Sequence, residues 1–182
     1  MSDLFHETVP VAFLDSVFGI MGTAQHHTFQ VLTKRPERMR AYMQGYEKQG
    51  IIVADLFPNV WLGVSVENQD QADKRLPILR DTPAAVRFIS VEPLLEPVDL
   101  CLSPGFEISI GSHGIHWVIA GGESGGPPER HMDLAWLRSI VDQCTAAGVP
   151  VFVKQDSGRL PGQQGRIPAD LWRRKEFPDA KR

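Results

Sequence analysis

Residues 60–67 read Val60-Trp61-Leu62-Gly63-Val64-Ser65-Val66-Glu67, and residues 86–93 repeat the pattern as Val86-Arg87-Phe88-Ile89-Ser90-Val91-Glu92-Pro93. Each is an apolar run of strand length that ends in Ser-Val-Glu. Side chains alternate faces along a strand, so Ser65 projects with Glu67 and Ser90 with Glu92. A single polar pair of this kind is what any turn would show. A hydroxyl and a carboxylate delivered twice to the end of a strand look like parts of a site.

Between the two runs, Asn68 is a good N-cap for an amphipathic helix over 69–80, with Ala72, Leu76 and Leu79 inward and Pro77 expected to bend or shorten it. The unit is therefore strand, helix, strand. Upstream, Pro10 opens a helical pattern in which Val11, Leu14, Val17, Phe18 and Met21 share a face. A compact strand at 28–32 (TFQVL) then leads through Thr33-Lys34-Arg35 to Pro36, which suits the first turn of a helix over 36–46. Residues 50–58 read as a loop with a short apolar piece at 51–53. Downstream, 93–115 is irregular, with a hairpin expected near 106–110, and 116–120 (HWVIA) is a strand running into Gly121-Gly122-Glu123-Ser124. A helix over 133–147 carries Leu134, Leu137, Ile140 and Val141 on its buried stripe, and Gly148 ends it. The last strand, 149–153, ends in Lys154-Gln155.

Five strands alternating with helices, each too continuously apolar for a half-exposed sheet, imply an α/β fold with a parallel sheet covered by helices. An open doubly wound sheet and an arc of a β/α barrel both fit. In either, ligands bind at the carboxyl ends of the strands. The expected organisation is a domain over 1–155 and a polar, Gly-rich surface extension over 156–182, its Arg173-Arg174-Lys175 cluster read as a solvated face.

Composition narrows the class. At 182 residues, 42% hydrophobic and 23% charged, the chain is ordinary for one folded domain. A formal charge of -3 disfavours a protein built to coat nucleic acid, though not a local nucleotide site. No apolar run reaches the roughly 20 residues of a membrane span, and the N-terminus lacks a secretory pattern, so a cytoplasmic protein without membrane association is expected. Cys101 and Cys144 are too far apart in sequence for a local metal site.

Every strand ends in polar or flexible residues, and in a parallel sheet these meet at one end. Lys34 has the charge to neutralise an anion or pair with Glu67. Gly121-Gly122 would let a ligand approach the backbone, with free amides for a carboxylate or phosphate. Glu67, Glu92 and Glu123 could ligate a metal, act as acid or base, or hold ribose hydroxyls; without histidine, three carboxylates would suit Mg²⁺ more than Zn²⁺. His131, beside Arg130, either joins the site or caps the next helix.

The motifs SDLFHE, FQVLTKRPERM, NVWLGVSVE, VRFISVEPLL, WVIAGGESG and VPVFVKQ resemble, in that order, a phage-associated protein family of unknown function related to radical SAM enzymes of the spore photoproduct lyase kind. The resemblance runs from Ser2 to about Gln155. It implies parallel β/α units forming an incomplete, radical-SAM-like barrel of about five strands. It implies S-adenosylmethionine as cofactor, with Ser65 as the ribose contact and Ser2, Asp3, Lys34, Glu67, Glu92, Gly121, Gly122, Glu123 and Ser124 around the same mouth. Members of that family carry a leading cysteine-rich stretch that would ligate a 4Fe-4S cluster. This chain has no such cysteines, so it resembles a member lacking that segment and cannot ligate the cluster alone.

The expected parent therefore binds an Fe–S cluster and S-adenosylmethionine and acts on a nucleic-acid or nucleotide-like substrate. Two rivals stand beside it: a non-catalytic nucleotide- or partner-binding accessory module, and a Mg²⁺-dependent phosphotransfer or hydrolytic enzyme using Glu67, Glu92 and Glu123. Loss of a first strand would leave an unpaired sheet edge, so the chain is expected to form a homodimer, bind a partner there, cover that edge with the 156–182 tail, or be marginally stable.

Overall fold

The computed structural model describes residues 3–102, 114–126 and 130–178. Helix α1 (Val11–Thr23) leads into strand β1 (Phe29–Thr33), and α2 (Pro36–Glu47) and the short α3 (Val53–Leu56) lead into β2 (Val60–Ser65). Then come α4 (Gln69–Arg80), β3 (Val86–Val91), β4 (Trp117–Gly121), α5 (Leu134–Ala147), β5 (Val151–Gln155) and α6 (Ala169–Trp172).

Local chemistry explains most boundaries. Asn68 Oδ1 accepts from the Gln71 N–H at 3.0 Å, and Asp133 Oδ1 accepts from the Ala135 N–H at 2.8 Å, so both long downstream helices start on side-chain caps. The cap of α5 is Asp133, not His131. Gly148 closes α5 with φ of 70°, where a side chain would be strained, and the Val149 N–H returns to Cys144 O at 2.9 Å. Pro77 sits inside α4 without shortening it. The apolar piece expected at 51–53 is the approach to α3. The hairpin expected near 106–110 lies outside the described residues.

All five strands are parallel, in the order β1-β2-β3-β4-β5. Strand order therefore never reverses, which removes the doubly wound alternative and its switch point. Connections of one hand put every helix on the same face. That face holds the main core, where α1 through α6 pack on Val31, Leu62, Val64, Ile89, Val91, Val118, Val151 and Val153. The sheet is an open arc and does not close into a barrel. Its other face carries a second cluster of Trp61, Val86, Phe88 and Trp117, with Ile119 and Phe152 against it.

This second face is where the C-terminal segment departs from a surface extension. Ile167 and Leu171 are buried in the main core. Residues 174–176 run antiparallel beside β5: the Val153 N–H donates to Arg174 O at 2.8 Å and the Glu176 N–H to Val151 O at 3.1 Å. Phe177 then stacks on Trp117 and Phe152, with ring centroids 5.2 and 5.3 Å apart. Lys175 of the basic cluster is not a solvated lysine: its ammonium lies 3.3 Å from the Trp172 ring centroid. The segment covers the β5 edge, opposite the β1 edge at which the sequence raised the question of a missing strand.

Candidate functional site at the carboxyl ends of the strands

Register brings the two Ser-Val-Glu motifs together. Ser65 and Ser90 are partners across β2 and β3, so both serines and, two residues on, both glutamates stand side by side on the open face. The two carboxylates are treated differently. Glu67 is held from both sides, in ion pairs with Lys34 and with Arg75 Nη1 at 3.1 Å; the same guanidinium donates to Ser65 O at 2.7 Å. Its neighbour Glu92 accepts from Ser90 Oγ and Lys154 Nζ, each at 3.2 Å, and both bonds fall on Oε2. The second oxygen, Oε1, is buried and has no hydrogen-bond partner among the described residues.

Gly121 accounts for the space around that oxygen. A Cβ at Gly121 would stand 2.9 Å from Glu92 Oε1, so glycine lets the carboxylate lie against β4. Together, Lys34, Arg75 and Lys154 set three cations against the two glutamates, and the mouth favours a ligand bearing negative charge.

Other expected site residues have structural partners. Ser2 lies outside the described residues. Asp3 is a clasp: it accepts from the Phe5 N–H, Thr33 Oγ1, the Lys34 N–H and Arg35 Nη1 at 2.7–3.0 Å, tying the N-terminal segment to the end of β1. Burial raises its pKa, but these hydrogen bonds outweigh that and hold it below the usual carboxylate range. The amides expected to be free at Gly121-Gly122 are not available at Gly122, whose N–H donates to Gln155 O at 3.0 Å. A Cβ at Gly122 would meet Ser157 N at 2.4 Å, so this glycine is required by close packing of chain on chain. Glu123 chelates Arg130 through both oxygens, at 2.6 and 3.0 Å, and these bonds pull its pKa down to about 2. Ser124 pairs with Gly158. The 121–124 loop is thus a junction with the C-terminal segment.

That segment has its own clasp. Asp156 accepts three hydrogen bonds from Arg166 at 2.7–2.9 Å and one from the Ser157 N–H at 2.7 Å. Burial opposes its ionisation, yet the bonds keep its pKa low.

Glu67, Glu92 and Glu123 do not converge on a shared point. Each has its own cation, and among the described residues no group of three His, Cys, Asp or Glu side chains is arranged to hold a metal ion. Cys101 is exposed, whereas Cys144 is buried in α5 with its thiol pushed up to about 12 by desolvation. None of the helices among the described residues is long and apolar enough to cross a membrane.

Sequence reasoning missed Arg75, Gly63, Trp172 and Phe177. Arg75 lies nearly two helical turns into α4 and reaches back to Glu67. Gly63 matters because a Cβ there would stand 2.5 Å from the Phe88 ring, which lies over it. Nothing in the one-dimensional pattern shows that contact.

An open, singly wound parallel α/β sheet with a polar crest at its carboxyl end is the class these observations define. Within that class, the chain belongs to the family described as "Protein of unknown function (DUF5131)", whose profile matches residues 1–171. No curated protein and no solved structure matches the chain significantly.

Proposed function

We propose that this chain is a cytoplasmic, phage-type, radical-SAM-like protein that binds S-adenosylmethionine or a related nucleotide at its strand-end mouth and whose wider family acts on a nucleic-acid or nucleotide-like substrate. The observation that carries the reading is the register of Ser65 with Ser90, which aligns two hydroxyl–carboxylate pairs on the open side of a parallel sheet. Hydroxyls and carboxylates suit a ribose diol and an α-amino group, and the excess of cations suits the carboxylate of the methionine portion. Ser65, with Glu67 and Lys34 beside it, would hold the ligand. S-adenosylmethionine, when reduced by a cluster, supplies a radical; this chain's own residues only bind and orient it.

The cluster is a different matter. A 4Fe-4S centre needs neighbouring thiolates, and one exposed and one buried cysteine do not fit it. The accessory-module reading, binding without turnover, uses the same mouth and needs no cluster. The Mg²⁺-dependent reading loses its basis because the three glutamates are separately paired.

Calorimetric titration of the full chain with S-adenosylmethionine, S-adenosylhomocysteine and ATP tests the proposal. Saturable binding that Ser65→Ala weakens about tenfold, one lost hydrogen bond to a polar ligand, is expected. Absence of heat with all three at millimolar concentration would sink it.

A further inference from the structure

Below the crest, the open face of the sheet is a cavity of about 600 Å³. Rings make up much of its wall, Phe88, Trp117 and Phe152 from three strands and Trp172 and Phe177 from the C-terminal segment, with the Lys175 ammonium already over Trp172. Glu92, Ser90 and Lys154 close its upper end. A volume in this range is ordinary for a small-molecule site, and it is large enough for a nucleoside. We infer that this cavity binds a nucleobase, stacked among the rings with its polar edge toward Ser90, Glu92 and Lys154.

Three observations select that ligand class. The ring lining offers flat apolar surface, which stacks well on a heteroaromatic plane. Ser90, Glu92 and Lys154 put polar groups at one end, which a purely hydrocarbon ligand would desolvate without replacing their hydrogen bonds to water. Lys154 already neutralises the Glu92 charge, so a neutral polar edge fits that end better than a second cation would. The pattern matches general base recognition, in which carboxylates accept from base N–H groups and aromatic side chains take the faces. The C-terminal segment is then part of the site: Trp117 Nε1 donates to Glu176 O at 2.8 Å, which fixes Phe177 over the cavity.

This inference deepens the proposed function by naming the substrate side of the same open face, and it uses different residues from the Ser65 mouth. The test is titration of the full chain with cytidine, adenosine, guanosine and thymidine, and separately with a single-stranded deoxyoligonucleotide, followed by tryptophan fluorescence and calorimetry. Saturable quenching is expected, because Trp117 and Trp172 line the cavity. Binding of free nucleosides identifies a small-molecule source for the base; binding confined to the oligonucleotide identifies a polymer. Phe177→Ala should weaken binding roughly tenfold, the loss of one stacking face, and Glu92→Gln by a similar factor. Ile119→Trp, which fills the cavity, should abolish it; should that variant fail to fold, Phe177→Ala, at a 56% exposed position, carries the test. No saturable response to any nucleoside or to the oligonucleotide at millimolar base would overturn the inference, as would affinities that the folded variants leave within twofold. Anilinonaphthalene sulfonate binding without nucleoside binding would also overturn it. S-adenosylmethionine binding that survives such a failure would leave the mouth reading standing. Base binding without S-adenosylmethionine binding would sink the mouth reading alone.

Discussion

Glu67 and Glu92 occupy equivalent places on neighbouring strands, two residues beyond serines that face each other, yet one is held by cations from both sides and the other from one side only. The difference comes from what the next element supplies. After β2, helix α4 sends Arg75 back to close the second side of Glu67. After β3 no such cation returns among the described residues; Lys154 arrives from β5 on one side only, and Gly121 leaves the other side of the carboxylate without a side chain. A motif repeated in sequence therefore need not repeat a role, because the role depends on which oxygen atoms the fold has already used.

Acidification should separate braces from site most broadly. Asp3 and Asp156 both have depressed folded pKa values, so the stability they contribute is present above the ordinary value of 3.8 and is lost as pH falls through the lower folded values. Chemical denaturation at falling pH should show a steep loss below about pH 4, and Asp156→Asn should flatten that slope. A slope that Asp156→Asn leaves unchanged would mean that this clasp does not stabilise the C-terminal segment.

Arg75→Met should cost about 2–3 kcal/mol of unfolding free energy, since it leaves Glu67 largely buried with only the exposed Lys34 as partner. A loss below 1 kcal/mol in urea titration would remove the brace half of the comparison. Gly63→Ala should cost roughly 1–3 kcal/mol, because its Cβ collides with the Phe88 ring, and should also lower nucleoside affinity by disturbing the cavity wall. Thermal denaturation and fluorescence titration would show whether both effects arise together. Glu92→Gln is the smallest: under about 1 kcal/mol in stability, because no partner of Oε1 is lost. A stability cost equal to that of Arg75→Met would make Glu92 a brace as well.

Much of the scaffold was legible because its signals are local. The Asn68 cap, the Gly148 stop and the apolar runs at β2 and β3 each act within a few residues of themselves, and such signals located all five strands along the chain. The convergence of polar strand ends followed from parallel topology. What escaped was long-range. The C-terminal segment reads as polar and Gly-rich, with Ile167, Leu171 and Phe177 too widely spaced to form a periodic pattern, yet the first two are buried in the main core and Phe177 lies against the opposite face. Asp3 looked like a mouth residue; the four donors that surround it come from residues 5 and 33–35, and only the folded backbone brings them together. Gly121 and Gly122 looked alike in sequence, whereas one makes room for a carboxylate and the other for the backbone of Ser157.

The pairing of residues 174–176 with β5 has an implication for assembly. A sheet grows by accepting strands at its edges, and here one edge is already taken by the chain itself. β1 alone can accept a strand from another molecule, since it has no strand partner on its outer side among the described residues. Two copies joined there through a two-fold axis would use up both free edges.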